Sequence, residues 1–286
     1  MKGKWKNWYA WSRSRQSLLN TCPRKFYYRY VKFYNVDYGD TLKDIKKMLD
    51  HMYEFKFLLG SIVHGAIKRQ FDQLSRGRPA PGYDAAINYV SRVISDIMDN
   101  PDEYIIEALN GKEIKGKEIS KIGTEAKKLI DIFFNEIFDS YKNLEIITYD
   151  QDYQKINIEG DIFWLVPDLI TKSNDERVFI TDWKTDSSFS DAIDDWQMKL
   201  YILWALEEGL SDMDHLNAEV VFLDTGESKD YNTTQQEIDS FKRELVKKSK
   251  ELFEYVNSRS GEADFDKCEK EEICLSCGFK SYCDER

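Results

Sequence analysis

The sequence predicts a mixed α/β fold in which a helix precedes a three-stranded antiparallel meander, a second helix and a further strand. Two observations support it. Up to about residue 142, apolar residues recur at helical spacing, and from about residue 145 they form short runs separated by "GD" and "KSNDE". The chain of 286 residues is 42% apolar and 14% aromatic, so it can bury a sizeable core.

The helical part of the chain comes first. We expect one helix at 14–32 and another at 57–75, which "RGRPAPG" ends. Residues 84–142 contain two or three more helices, separated by "DNP" and "NGKEIKGKE", and form an insertion before the strands.

The predicted sheet follows this helical part. The remaining predicted elements are the meander strands at 153–159, 162–171 and 177–185, a helix at 190–209, a strand at 218–224 and a helix at 234–257. We expect a single domain over 1–286, divided into a basic and aromatic segment (1–56), a helical part (57–142), a sheet core (143–230) and a C-terminal helix and tail (231–286).

The N-terminal residues contain no apolar stretch followed by a cleavage-like site, and no segment approaches ~18 uninterrupted apolar residues. We therefore expect a cytoplasmic protein without a membrane partner. In a reducing cytosol, five cysteines, three of them within "CLSCGFKSYC", favour metal ligation or free thiols over disulfides.

Positive charge is concentrated at the start of the chain. The net charge is −11, yet Met1 to Val36 contains nine Lys or Arg and no Asp or Glu. Basic charge interleaved with aromatic rings is typical of proteins that bind single-stranded nucleic acid. The alternative is an amphipathic helix whose rings are core and whose charges are solvated. The aromatic residues are Trp5, Trp8, Tyr9, Trp11, Phe26, Tyr27, Tyr28, Tyr30, Phe33 and Tyr34.

Two charged positions interrupt apolar strands. In "ITDWKTD", Asp182 and Lys184 lie two apart, so their side chains share one strand face while Trp183 points away. Asp168 interrupts the preceding strand, in "VPDLI". Buried carboxylates need partners, and either a divalent cation or an ion pair with Lys184 would satisfy them.

Two helices carry further polar residues. His64 lies in "GSIVHGA" on the second predicted helix, where it is either a ligand or an ordinary helical histidine. Gln197 and Tyr201 lie four apart on one face of the helix that follows the Asp-x-Lys strand. They are interpreted either as positioning groups or as helix packing.

Taken in order, these segments resemble the RecB-like nuclease domains of the PD-(D/E)XK superfamily. The matching motifs are Gly-x-x-x-His at Gly60 to His64, Pro-Asp at Pro167 to Asp168, Asp-x-Lys at Asp182 to Lys184 and Gln-x-x-x-Tyr at Gln197 to Tyr201. The resemblance implies a restriction-endonuclease-like core and hydrolysis of phosphodiester bonds.

The resemblance also implies a metal centre. His64, Asp168, Asp182 and the carbonyl of Trp183 would hold Mg²⁺ or Mn²⁺. Lys184 would orient or activate the attacking water and offset developing charge. Gln197 and Tyr201 would position the strand or the water.

The cysteine pattern is similar to that of family members with an iron-sulfur cluster. Those members take one ligand from a "CPR"-like element and three from a C-terminal C-x2-C-x5-C. Here "CPRKFYYRY" begins at Cys22, and Cys274, Cys277 and Cys283 follow. This implies a [4Fe-4S] cluster joining the N- and C-terminal segments, as in CRISPR-associated RecB-like exonucleases and cluster-bearing helicase-nuclease subunits. Cys268 is an extra thiol.

Two functions remain open. The first is a metal-dependent DNA exonuclease that acts on single-stranded ends in repair, recombination or CRISPR adaptation. The second is a non-catalytic iron-sulfur scaffold that binds nucleic acid beside a helicase or CRISPR integrase. The complete set of His64, Asp168, Asp182 and Lys184 favours the enzyme, because a scaffold has no use for clustered like charges. We expect Arg13, Arg15, Arg24 and Lys25 to supply the charge that binds DNA.

Overall fold

The computed structural model describes residues 10–33, 41–150, 153–187 and 194–284. Within these ranges the α-helices are α1 (Arg13–Thr21), α2 (Pro23–Phe26), α3 (Thr41–Leu49), α4 (Leu58–Leu74), α5 (Tyr83–Asp99), α6 (Pro101–Tyr104), α7 (Ile106–Leu109), α8 (Gly116–Ile132), α9 (Asp195–Glu207), α10 (Gln235–Asn257), α11 (Glu271–Leu275) and α12 (Lys280–Asp284). The strands are β1 (Glu145–Tyr149), β2 (Gln154–Ile158), β3 (Asp161–Leu165), β4 (Leu169–Lys172), β5 (Val178–Lys184), β6 (Leu216–Phe222) and β7 (Ser228–Asp230).

The central sheet has five strands in the order β1-β4-β5-β6-β7. Strands β1, β4 and β5 are antiparallel neighbours, and β6 lies parallel to β5 after the crossover through α9. Strands β2 and β3 form a separate two-stranded hairpin. The predicted order of three antiparallel strands, a helix and a further strand is therefore present in a mixed α/β fold.

The prediction of which segments form the three strands of the meander was wrong. The run 162–171 is not one strand, because it splits into β3 and β4 at Val166 to Asp168. Pro167 lacks the N–H that a continuous ladder would need. The run 153–159 pairs within the hairpin, and β1, which was not predicted, takes its place in the meander.

The predicted helix at 14–32 is interrupted at Cys22. Pro23 cannot continue α1 because it has no N–H to donate, so it opens a new helix at the first position. The Cys22 Sγ accepts a hydrogen bond from the backbone N–H of Lys25 at 3.4 Å. A π-helix, Tyr27–Lys32, then extends α2.

The sheet separates two apolar cores. One packs the hairpin, α9 and α10 against Val178 and Ile180 of β5. The other packs α4, α5 and α8 against Trp183 and Val221. The helical insertion therefore forms one wall of the domain, and the alternation of β5 decides which residues face each core.

Most of the described aromatic rings near the N-terminus belong to the first core. Trp11, Phe26, Tyr27 and Tyr28 are buried, whereas Tyr30 and Phe33 are half-buried. The alternative interpretation of the basic and aromatic segment, in which its rings belong to the core, is thus confirmed for these four rings. Trp5, Trp8, Tyr9 and Tyr34 lie outside the described residues.

Protein contacts join the N- and C-terminal segments through one carboxylate. Glu262 Oε1 accepts hydrogen bonds from Tyr28 at 2.6 Å and from Arg24 at 3.2 Å, and its Oε2 accepts from Lys32 at 2.7 Å. Burial opposes the charge on Glu262, but the bonds from Lys32 and Tyr28 hold its pKa below the usual range. The ring of Tyr27 also stacks on Phe265.

None of the helices in the described ranges has both the length and the apolar content needed to cross a bilayer.

Glu262→Ala is expected to destabilise the fold by about 2–4 kcal/mol, because it leaves a buried guanidinium without its carboxylate. Urea unfolding followed by circular dichroism measures the change. Glu244→Ala, at an exposed position of α10, is the matched control and should change stability by less than about 0.5 kcal/mol. Equal stability of the two variants would show that the Glu262 contacts contribute nothing.

Candidate active site

Three aspartates form a row across neighbouring strands of the sheet. Tyr149 pairs with Leu169 on β4, and Leu169 pairs with Thr181 on β5. Asp150, Asp168 and Asp182 are the next residues along this register, and the Asp150 N–H donates to the Asp168 carbonyl at 3.2 Å. The sheet thus aligns three carboxylates that are far apart in the sequence.

His64 completes this cluster from helix α4. Its Nδ1 lies 3.5 Å from Asp168 Oδ1. One potential ligand atom each from His64, Asp150 and Asp168 lies within 4.8 Å of the others. The other oxygen of Asp168 accepts a hydrogen bond from the Trp183 N–H at 2.9 Å. Helix and sheet therefore hold two of the predicted ligands, His64 and Asp168, against each other.

Asp182 is the most deeply buried member of the row, at 1% exposure. Lys184 Nζ lies 2.7 Å from Asp182 Oδ2, and both share the strand face that the sequence predicts. Lys184 is the charged partner of Asp182, whose buried oxygens have no further hydrogen-bond partner among the described residues. A buried carboxylate in this condition is costly unless further positive charge reaches it.

The proton affinities reflect this crowding. Burial, followed by the charge of Asp168, raises the pKa of Asp182 to about 6, and the same two causes raise the pKa of Asp150. Burial disfavours the His64 imidazolium, but the Asp168 carboxylate outweighs it and raises the pKa of His64 to about 9. The site therefore attracts positive charge strongly.

Aromatic packing fixes α4 relative to β5. The Trp183 ring stacks on Phe71 of α4 with centroids 6.4 Å apart and meets Tyr141 edge-on at 5.3 Å. Because Trp183 faces this core, its neighbours Asp182 and Lys184 face the opposite side of the strand. This packing sets the distance between His64 and the aspartate row.

Gln197 and Tyr201 support the segment that leads into Asp168. The Tyr201 hydroxyl donates to the Val166 carbonyl at 2.8 Å and accepts from Gln197 Nε2 at 2.6 Å. Tyr201 is buried, and burial followed by the charge of Asp168 raises its pKa well above the usual value. The pair therefore fixes the backbone two residues before Asp168.

The sequence analysis missed Asp150. The signal was present, because Asp150 ends the apolar run "IITY" as Asp168 and Asp182 end theirs. Without β1 in the predicted meander, however, nothing aligned Asp150 with the other two aspartates. Its carboxylate adds a candidate cation ligand to the predicted set.

The donor set fits a hard divalent cation. Carboxylate oxygens suit Mg²⁺ or Mn²⁺, and an imidazole nitrogen favours Mn²⁺. The clustered atoms of His64, Asp150 and Asp168 supply both kinds of donor, and Asp182 lies next to Asp168 in the register of the sheet.

The cysteines form a second centre. A cavity of about 90 Å³ is lined by Cys22, Cys268, Cys274, Cys277 and Cys283. Burial raises the pKa of Cys277 to about 11, although Lys25 acts in the opposite direction. The four cysteines of the predicted ligand set thus meet although they come from opposite ends of the chain, and Cys268 joins them.

Comparison with protein families finds a match over nearly the whole chain. A model of the PD-(D/E)XK nuclease superfamily matches residues 10–284, which include the aspartate row, His64 and Lys184. Comparison with curated proteins returns no significant match. Members of this superfamily are metal-dependent nucleases that cleave phosphodiester bonds. Because the match covers nearly the whole chain, the protein belongs to the PD-(D/E)XK nuclease superfamily.

Proposed function

We propose that this protein is a metal-dependent deoxyribonuclease that degrades single-stranded DNA from its ends, in repair, recombination or CRISPR adaptation. The observation that carries the proposal is the row of three aspartates, in which the buried Asp182 pairs with Lys184 and ligand atoms of Asp150, Asp168 and His64 lie within 4.8 Å of one another. One ammonium cannot balance three carboxylates, so a cation would stabilise this row.

The proposed ligands are those that the motifs of the chain predict, together with Asp150. Asp168, Asp182 and His64 hold Mg²⁺ or Mn²⁺, with the Trp183 carbonyl and Asp150 as further donors. When bound, the cation supplies Lewis-acid polarisation of a phosphoryl oxygen. The hydrogen bond from the Trp183 N–H keeps Asp168 oriented toward His64.

Lys184 is proposed to act on the reacting groups. Burial disfavours its charge, but Asp182 raises its pKa, so it stays an ammonium near neutral pH. A fixed ammonium beside the ligands can orient the attacking water and offset charge that develops on the phosphoryl oxygens. Gln197 and Tyr201 position this reaction indirectly, through the Val166 carbonyl.

The cysteine centre is proposed to hold a [4Fe-4S] cluster. Cys22, Cys274, Cys277 and Cys283 would bind it, because these four line one cavity and four thiolates are the ligand set of such clusters. A helicase or CRISPR integrase remains a proposed partner.

Asp182→Asn and Lys184→Gln are each expected to lower the rate of Mn²⁺-dependent cleavage of a labelled single-stranded oligonucleotide by about 100- to 1000-fold. Binding of the strand should persist. Lys199→Gln, which breaks only an exposed pair with Asp195, is the matched control. Wild-type cleavage by the Lys184 variant, or cleavage that survives EDTA, would reject the mechanism. Normal binding by a wild-type protein that never cleaves would favour the scaffold function.

Cys22→Ser is expected to lose iron and aggregate, whereas Cys268→Ser should retain about four irons per chain after anaerobic purification. A ligand at Cys22 closes a loop of about 250 residues, and that closure is worth about 5 kcal/mol in the chain-entropy model. Iron and sulfide analysis with visible absorption measures the difference. Stoichiometric zinc without iron, or full iron content in a soluble Cys22 variant, would contradict the cluster.

A further inference from the structure

A large groove leads toward the active site from the N-terminal segment. It has a volume of about 1120 Å³ and is bordered by α1, Phe57 before α4, and the β2–β3 hairpin. Val166, Gln197 and Tyr201 also line it, so it reaches the segment that precedes Asp168. Pockets for small molecules measure about 300–1000 Å³, so this volume suits a longer ligand.

The groove is locally basic on an acidic protein. Its lining contains more cationic than anionic side chains, although the chain carries a net charge of −11. The cations are Arg13, Arg15, Lys25, Arg29, Lys46 and Lys56, and the anions are Asp50, Glu54 and Asp194. A local excess of positive charge attracts a polyanion to a surface that the whole protein would repel.

Two of the expected DNA-binding residues, Arg24 and Lys25, are held inside the fold. Arg24 is buried and donates to the Phe265 carbonyl and Glu262, and Lys25 is buried against Glu54 and the Ser276 carbonyl. These two are therefore structural, contrary to the expectation from sequence.

Arg29 and Arg13 are the cations best placed to meet phosphate. Arg29 is exposed, and its guanidinium carbon lies 5.7 Å from the centroid of the Tyr30 ring. Arg13 is 44% exposed and paired with Asp194, and an exposed pair of this kind is weak enough for phosphate to compete.

The same groove presents aromatic rings to solvent. Tyr153 is 74% exposed and Phe57 is 58% exposed, with the Lys56 ammonium 4.6 Å from the centroid of the Phe57 ring. Trp164 meets Tyr153 edge-on at 6.0 Å and holds it at the hairpin. In a duplex the faces of the bases are already stacked, so only an unpaired strand can offer a base to these rings.

We infer that the groove binds a single nucleic-acid strand, with Tyr153 and Phe57 stacking on bases and Arg13 and Arg29 contacting phosphates. The inference rests on the proposed function, because the strand in the groove is the substrate delivered to Asp168 and Asp182. It adds a path for the strand, since among the described residues the groove lining includes Val166, Gln197 and Tyr201, next to the segment that leads into Asp168.

The test measures binding in EDTA, so that cleavage plays no part in it. Fluorescence anisotropy of labelled oligo(dT) is recorded for Tyr153→Ala with Phe57→Ala and, separately, for Arg13→Gln with Arg29→Gln across a salt series. Loss of each stacked base should weaken affinity roughly 5- to 150-fold. Loss of each phosphate contact should reduce the salt slope by about 0.7.

Matched controls lie outside the groove. Tyr83→Ala removes a 43% exposed ring from α5, and Lys247→Gln removes a 74% exposed charge from α10. Both should bind like the wild type.

Unchanged affinity and slope in the groove variants, or duplex binding as tight as oligo(dT) binding, would overturn the inference. The same titration with labelled oligo(U) distinguishes an RNA strand from a DNA strand. Tighter binding of either strand supports the inference that the groove binds a single strand. If wild-type protein binds through these residues but never cleaves with Mn²⁺, the groove stands and the nuclease proposal fails.

Discussion

The structure depends on placing three carboxylates side by side within the fold. Asp150, Asp168 and Asp182 occupy one row across β1, β4 and β5, and Asp182 is almost fully buried. Like charges this close repel one another, and the raised pKa values of Asp150 and Asp182 record that repulsion together with burial. Lys184 supplies one positive charge against three negative ones, because His64 must be a neutral imidazole when it binds a metal. A divalent cation would remove the remaining deficit, which is why the row is best understood as a metal site.

The rest of the fold keeps this unfavourable row in place. Trp183 anchors β5 against Phe71 and thereby sets the position of His64 on α4. On the opposite side of the sheet, Tyr201 holds the Val166 carbonyl ahead of Asp168. Each of these contacts is apolar or satisfied within the protein. The packing around the aspartate row therefore offsets the unfavourable free energy of burying its carboxylates. The closure of the N- and C-terminal segments through Glu262 adds a second support, independent of any cluster.

The sequence predicted the parts of the site that short motifs encode and missed those that depend on pairing. His64, Asp168 and Asp182 were identifiable because each interrupts an apolar pattern within a motif. Asp150 was not, since its place depends on β1, a five-residue strand directly after a helical region. The burial of Arg24 and Lys25 was likewise hidden, because Phe265, Glu262 and Ser276 lie more than 230 residues from them and Glu54 lies 29 residues from Lys25. Local chemistry is visible in a sequence, whereas strand register and long-range partners are not.

The most direct test of the metal site is anomalous scattering from crystals soaked in Mn²⁺. The account predicts a peak bonded to carboxylate oxygens of Asp168 and Asp182 and to the imidazole of His64, with Asp150 beside them. It would be contradicted by manganese bound only at other acidic positions, with the aspartate row free of density and the Asp182 oxygens paired with protein donors.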